Sequence, residues 1–274
     1  MKNYQLQMEE LEDRSVPAVT NLGGLASIPV VGDWGGSSGA GIGVFDSATA
    51  TWSLRSQASP GAPDVVAPFA YGAPGWIPVV GEWTGSGKDG IGVIDPSTMT
   101  WYLKSTAGPG APDILPFRYG APGWVPVVGD WDGSGTATIG VVDPATETWY
   151  LKNSNTAGAP DITPFAYGAP GWVPVVGDWD GNGTTTVGVV DPGSSTWYLR
   201  NANSPGAPDA AQPFAYGGGN DDPPSADPPT GSNGGDGDVN IPVNANQTRP
   251  TEGGNGDLNN PVNANQTSPT EGGN

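Results

Sequence analysis

The 274-residue sequence contains neither cysteine nor histidine. The first absence excludes disulfides, thiolate catalysis, iron–sulfur clusters and zinc–thiolate sites. The second excludes Ser-His-Asp and Cys-His machinery, haem held by a proximal histidine and nearly all transition-metal sites. Positive charge is scarce too. Nine Lys and Arg stand against 28 Asp and Glu, a formal net charge of −19, which repels a nucleic acid or any other phosphate-coated partner. No apolar run reaches the roughly 18 residues that a membrane-spanning helix needs.

Glycine and proline, by contrast, are abundant, at 45 and 30 residues. Without a period, such a content reads as disorder. The aromatic residues divide the chain: all 11 Trp and all five Phe lie between Trp34 and Phe214, and residues 218–274 hold no aromatic residue at all. An aromatic-rich block, long enough to bury a sizeable core, is thus followed by a solvated tail.

The block is periodic. Gly-Ala-Pro-Asp begins at Gly61, Gly110, Gly158 and Gly206, at intervals of 49, 48 and 48 residues. Trp52, Trp101, Trp149 and Trp197 each follow a Thr at the same intervals, and Pro-Val-Val-Gly-(Asp/Glu)-Trp begins at Pro29, Pro78, Pro126 and Pro174. Between residues 125–161 and 173–209, 27 of 37 aligned positions are identical. The chain therefore carries four copies of one unit.

Each unit has four strand-like pieces. In the third copy they are residues 125–131, 138–142, 148–152 and 162–167, the second and third joined by a turn that Asp143-Pro144 opens. No stretch has a helical period. Four short strands per 48 residues is the pattern of a β-propeller blade, whose faces are both buried and so want Trp, Tyr, Val and Phe at fixed positions. We expect an all-β, four-bladed propeller over residues 25–217. The block opens with a first-type strand (28–34) and ends with a fourth-type strand (213–216), so we expect these to pair and clasp the ring shut. Residues 218–274 carry 11 Gly, eight Pro and eight acidic residues against one Arg, and residues 237–255 recur as 256–274 with 16 of 19 positions identical. This composition reads as a disordered acidic spacer. Residues 1–20 lack the apolar stretch of a secretory signal, and residues 1–24 read as a disordered or sorting-like segment.

The loop after the first strand holds the richest chemistry. In the third copy it places oxygen-bearing side chains at Asp130, Asp132, Ser134, Thr136 and Thr138; in the fourth, at Asp178, Asp180, Asn182, Thr184 and Thr186. Such a spacing folds a short loop around a hard cation such as Ca²⁺. A metal-free turn held by its own side-chain hydrogen bonds is the other reading of the same residues. The second copy has Glu82 with Lys88 in the loop, and the first keeps a single carboxylate, Asp33.

With this loop, the strand at 139–144 and the hairpin at 148–151, the block resembles bacterial FG-GAP/VCBS-type repeat proteins. The resemblance implies an integrin-α-like propeller with Ca²⁺ in this loop, on an exported protein. The chain departs from that pattern where Ser134 or Asn182 and Thr138 or Thr186 replace aspartates, which implies weak binding at most. The segment Met8-Glu-Glu-Leu-Glu-Asp-Arg-Ser-Val-Pro-Ala18 resembles an N-terminal segment of large exported or surface proteins of some bacteria, which implies a sorting role.

The repeated strand Trp residues read as filling between blades. Trp76, Trp124 and Trp172 fall in loops instead and are the candidates for stacking on a sugar. Arg55, Lys104, Lys152 and Arg200 recur once per blade and form either an anion-binding ring or pairs with the repeated Asp residues. The polar residues recur copy after copy, whereas a catalytic site breaks repeat symmetry. The expectation is a non-catalytic binding or structural module, extracellular or at a cell surface, with a protein or carbohydrate partner. A lectin is the alternative, and a second chain completing the ring remains open.

Overall fold

The computed structural model describes residues 27–36 and 39–217; the readings made for residues 1–24 and 218–274 lie outside the described residues. Every repeat becomes a four-stranded antiparallel sheet. Blade 1 is β1 (Ser27–Gly32), β2 (Gly41–Asp46), β3 (Thr51–Arg55) and β4 (Phe69–Ala70). Blade 2 is β5 (Ile77–Gly81), β6 (Gly90–Asp95), β7 (Thr100–Lys104) and β8 (Phe117–Arg118). Blade 3 is β9 (Val125–Gly129), β10 (Thr138–Asp143), β11 (Thr148–Leu151) and β12 (Phe165–Ala166). Blade 4 is β13 (Val173–Gly177), β14 (Thr186–Asp191), β15 (Thr196–Leu199) and β16 (Phe214–Ala215). Among the described residues there is no helix, and the four sheets are arranged as a four-blade β-propeller.

Each blade is a meander in sequence order. In blade 2, Val93 of β6 lies opposite Pro78 of β5 and Tyr102 of β7. Beside it, Gly92 faces Leu103, and a Cβ there would come 2.6 Å from a Leu103 methyl and 2.8 Å from a Val79 methyl. Glycine in mid-strand thus gives a leucine room to cross the sheet. The turn after the second strand ends on a left-handed residue in every blade: Ala50, Met99, Glu147 and Ser195 have φ between +49° and +53°. A type I turn followed by such a residue matches the twist of a hairpin.

The observed strands are shorter than the sequence suggests at three points, the third strand ending at Leu151 rather than at Lys152. The first strand stops at Gly129 rather than Trp131, because Asp130 opens its loop. The fourth shrinks from 162–167 to Phe165–Ala166, because the Asp161 and Ile162 N–H groups both turn back to the Leu151 carbonyl at 3.1 and 3.2 Å.

The core lies between blades. The first strands β1, β5, β9 and β13 contact their neighbours in that order and so lie innermost. At the first seam, Trp34, Phe45, Trp52, Leu54 and Tyr71 of blade 1 pack on Val80, Ile91 and Val93 of blade 2. The same positions make the seams of blade 2 with blade 3 and of blade 3 with blade 4. A backbone hydrogen bond crosses each seam: Asp89 N–H to the Asp33 carbonyl (2.8 Å), Ala137 N–H to Glu82 (2.6 Å) and Thr185 N–H to Asp130 (2.7 Å).

The expected clasp is corrected. β1 pairs with β2 over six residues and β16 pairs with β15, and each lies at one end of its own complete sheet. The described strands run from the innermost β1 to the outermost β16, four to each sheet, so the repeats are divided at blade boundaries. β1 and β16 are thus edge strands of different sheets, and no pairing joins them.

Candidate functional site

The loop between the first and second strands closes around its leading carboxylate. In blade 3, Asp130 Oδ1 accepts the Ser134 N–H at 2.9 Å and Oδ2 accepts the Gly135 N–H at 2.6 Å, while Asp132 Oδ1 shares the Ser134 N–H at 3.2 Å. Blade 4 repeats this with Asp178 accepting from Asn182 (3.0 Å) and Gly183 (2.7 Å), and Asp180 from Asn182 (3.3 Å). Blades 1 and 2 make tighter turns: Asp33 accepts the Gly35 and Gly36 N–H groups, and Glu82 accepts the Thr84 N–H and the Thr84 and Ser86 hydroxyls. Burial raises the Asp130 carboxyl above its ordinary value, opposed by the Gly135 and Ser134 N–H groups and reinforced by Asp132.

The structure therefore brings together Asp130, Asp132 and Ser134, and likewise Asp178, Asp180 and Asn182. Thr138 and Thr186 are turned elsewhere: each is buried, and its hydroxyl donates to the Gly129 or Gly177 carbonyl at 3.2 Å inside the sheet. Thr136 and Thr184 lie at the seams, their hydroxyls beside Gly85 and Gly133 of the preceding blade's loop. Among the described residues no three Asp, Glu, His or Cys side chains gather as a metal cage. What remains for a hard cation is two carboxylates per loop, a donor set that fits only weak binding.

The Gly-Ala-Pro-Asp motif forms a clamp. Lys152 Nζ lies 3.4 Å from Asp161 Oδ2 and donates to the Ala159 carbonyl at 3.0 Å, while Asp161 also accepts the Asn153 N–H at 2.9 Å. Arg55–Asp64 (3.7 Å), Lys104–Asp113 (3.4 Å) and Arg200–Asp209 (3.5 Å) repeat the pair. The repeated cations thus pair with the repeated aspartates, and each does so within its own blade. The Ser56 N–H holds Asp64, and the Ser105 hydroxyl holds Asp113, below the usual carboxylate range.

The loop tryptophans are half-buried, each with one ring face on a tyrosine of the third strand. Trp76 stacks on Tyr102, Trp124 on Tyr150 and Trp172 on Tyr198, at 4.7, 4.7 and 4.6 Å between centroids and within 22° of parallel. Each pair also packs against the rim of one seam. The periodic pattern alone did not reveal these partners, although Trp and Tyr recur together with constant spacing, missing together only in the first copy, at Ser27 and Ser53.

Sequence reasoning also missed Glu147. It is fully buried, both carboxyl oxygens lack a hydrogen-bond partner, and burial with the nearby Asp143 charge raises it from 4.5 to about 7. Its signal is a charge at the position that Ala50, Met99 and Ser195 occupy in the other copies. Burial likewise pushes the Tyr167 phenol up to about 12. No protein-family model, no curated protein and no solved structure matches the chain.

Proposed function

We propose that this propeller is a non-catalytic binding or structural module of the FG-GAP/VCBS type, working outside the cell or at its surface. The observation that carries this reading is the clamp repeated in every blade. The recurring cations and aspartates bind one another and nearby carbonyls, so the polar residues common to all copies build the scaffold. A net charge of −19 directs it towards a partner that is not a polyanion. Loops 130–138 and 178–186 add weak calcium binding to this reading, through Asp130, Asp132, Asp178 and Asp180.

The three Trp–Tyr stacks favour a second reading, a carbohydrate-binding propeller, because they present similar half-exposed indoles at equivalent positions. A glycan array separates the two. Binding of one sugar class, lost stepwise in Trp76→Ala, Trp124→Ala and Trp172→Ala, establishes the lectin. An array without signal leaves the scaffold reading, which a surface-retention assay on cells displaying the chain then tests.

A further inference from the structure

Three of the seams that four blades could make are packed, and the two faces left over are the two halves of a fourth. Val31, Ile42 and Val44, on the leading face of blade 1, are 40–43% exposed; their equivalents Val80, Ile91 and Val93 are at most 1% exposed. On the trailing face of blade 4, Phe214 and Tyr216 are 42% and 67% exposed, against 5% and 6% for Phe165 and Tyr167. The seam hydrogen bond stops as well. Asp33, Glu82 and Asp130 each offer a carbonyl to the next blade, but among the described residues no such bond joins Asp178 to Ala40, its counterpart in blade 1.

These faces suit each other because the chain already uses their combination three times. Aromatic and leucine side chains on a trailing face meet valine and isoleucine on a leading face, in one repeated arrangement. We propose that the protein associates head to tail with a second copy of itself, the trailing face of blade 4 docking on the leading face of blade 1 of the other copy. The joint is heterologous: two such joints close two copies into a ring of eight blades, and unclosed joints continue as a chain of copies. It is also weaker than the internal seams. Where they have a Trp–Tyr stack at the rim, blade 1 has Ser27 and Ser53, so the joint keeps its apolar centre and loses its aromatic edge.

The test is the mass of the full chain in solution over a wide concentration range, for the wild type, for Val44→Glu on the leading face and for Phe214→Glu on the trailing face. The wild type should associate as concentration rises, and each variant alone should stay monomeric to at least about ten-fold higher concentration. Val44 is exposed in the single chain, so Val44→Glu should keep the wild-type melting profile under dilute conditions, and Phe214→Glu should lose only its stack on Trp197. Mixing the two variants restores one intact joint, because each supplies the face the other lacks, and the mixture should form a one-to-one pair. A wild type that is monomeric at every concentration overturns the proposal, above all if both variants then melt earlier, which would mark the two faces as closed upon each other within one chain. Association that either variant leaves intact, or that the mixture fails to restore, overturns it too and places the contact elsewhere.

Discussion

Trp149 Nε1 donates to the Tyr167 carbonyl at 3.0 Å, and through that bond the third strand holds a fourth strand only two residues long. Trp52 with Tyr71, Trp101 with Tyr119 and Trp197 with Tyr216 make the same bond at 3.1, 3.0 and 3.1 Å. Phenylalanine at Trp149 removes the donor, leaves a buried carbonyl unpaired and opens a small void, at a cost of about 2–4 kcal/mol. At Trp197 the partner carbonyl is exposed, so water replaces the lost donor. Chemical denaturation of Trp149→Phe and Trp197→Phe, at concentrations where the chain is monomeric, should show the larger loss for Trp149→Phe. Equal losses would mean that the last blade is as well covered as the third.

Removing Asp161 tests the clamp. Asp161→Ala deprives Lys152, which is buried, of its counter-charge and the Asn153 N–H of its acceptor. Because the carboxylate itself is partly exposed, the loss should be about 1–2 kcal/mol. Asp161→Asn, which still accepts the N–H, should recover about half of it. An Asp161→Ala chain as stable as the wild type would show that the loop holds its shape without the pair.

Glu147 gives the protein an unusual pH dependence. Its folded pKa of about 7 lies above the ordinary 4.5, so the native state holds the proton more tightly than the unfolded chain does. The stability it contributes is complete below about pH 4.5 and fades as pH rises through 7. Asp46, Asp95 and Asp191 act in the opposite sense. Turn hydrogen bonds, from the Ala48 N–H to Asp46, the Ser97 hydroxyl to Asp95 and the Ser194 hydroxyl to Asp191, lower each below 3.8, and their contribution disappears as pH falls through that range. Melting temperature should therefore decline from about pH 5 towards pH 8. Glu147→Met, copying the fully buried Met99 of blade 2, should abolish that decline and melt higher than wild type at pH 8. An unchanged slope in Glu147→Met would sink the assignment.

Calcium provides a further check. If loops 130–138 and 178–186 bind it at millimolar levels, saturating calcium should raise the melting temperature by mass action, a stabilisation of about 1.4 kcal/mol per loop at ten times the dissociation constant. Asp132→Asn with Asp180→Asn should remove that increment while leaving in place the Asp130 and Asp178 bonds that shape the loops. Identical melting curves with and without calcium would leave those loops as turns alone.

The blade is legible in the amino-acid order: four copies, four strand types in each, the Asp-led loop and one recurring cation per copy all arise within about 48 residues. The Trp–Tyr stacks were half legible, as a recurring pair of residue types without a visible reason. How the blades meet becomes visible only once they are packed. Phe165 and Phe214 sit in the same local sequence, Pro-Phe-Ala-Tyr-Gly, and Pro29-Val30-Val31-Gly32 has its equals in every copy. Yet Phe165 is buried and Phe214 exposed, and Val80 is buried while Val31 is not. Near-identical repeats carry near-identical local instructions, so nothing in them says which copy has a neighbour on which side. That depends on how the four sheets pack, which among the described residues leaves a leading face on blade 1 and a trailing face on blade 4 exposed.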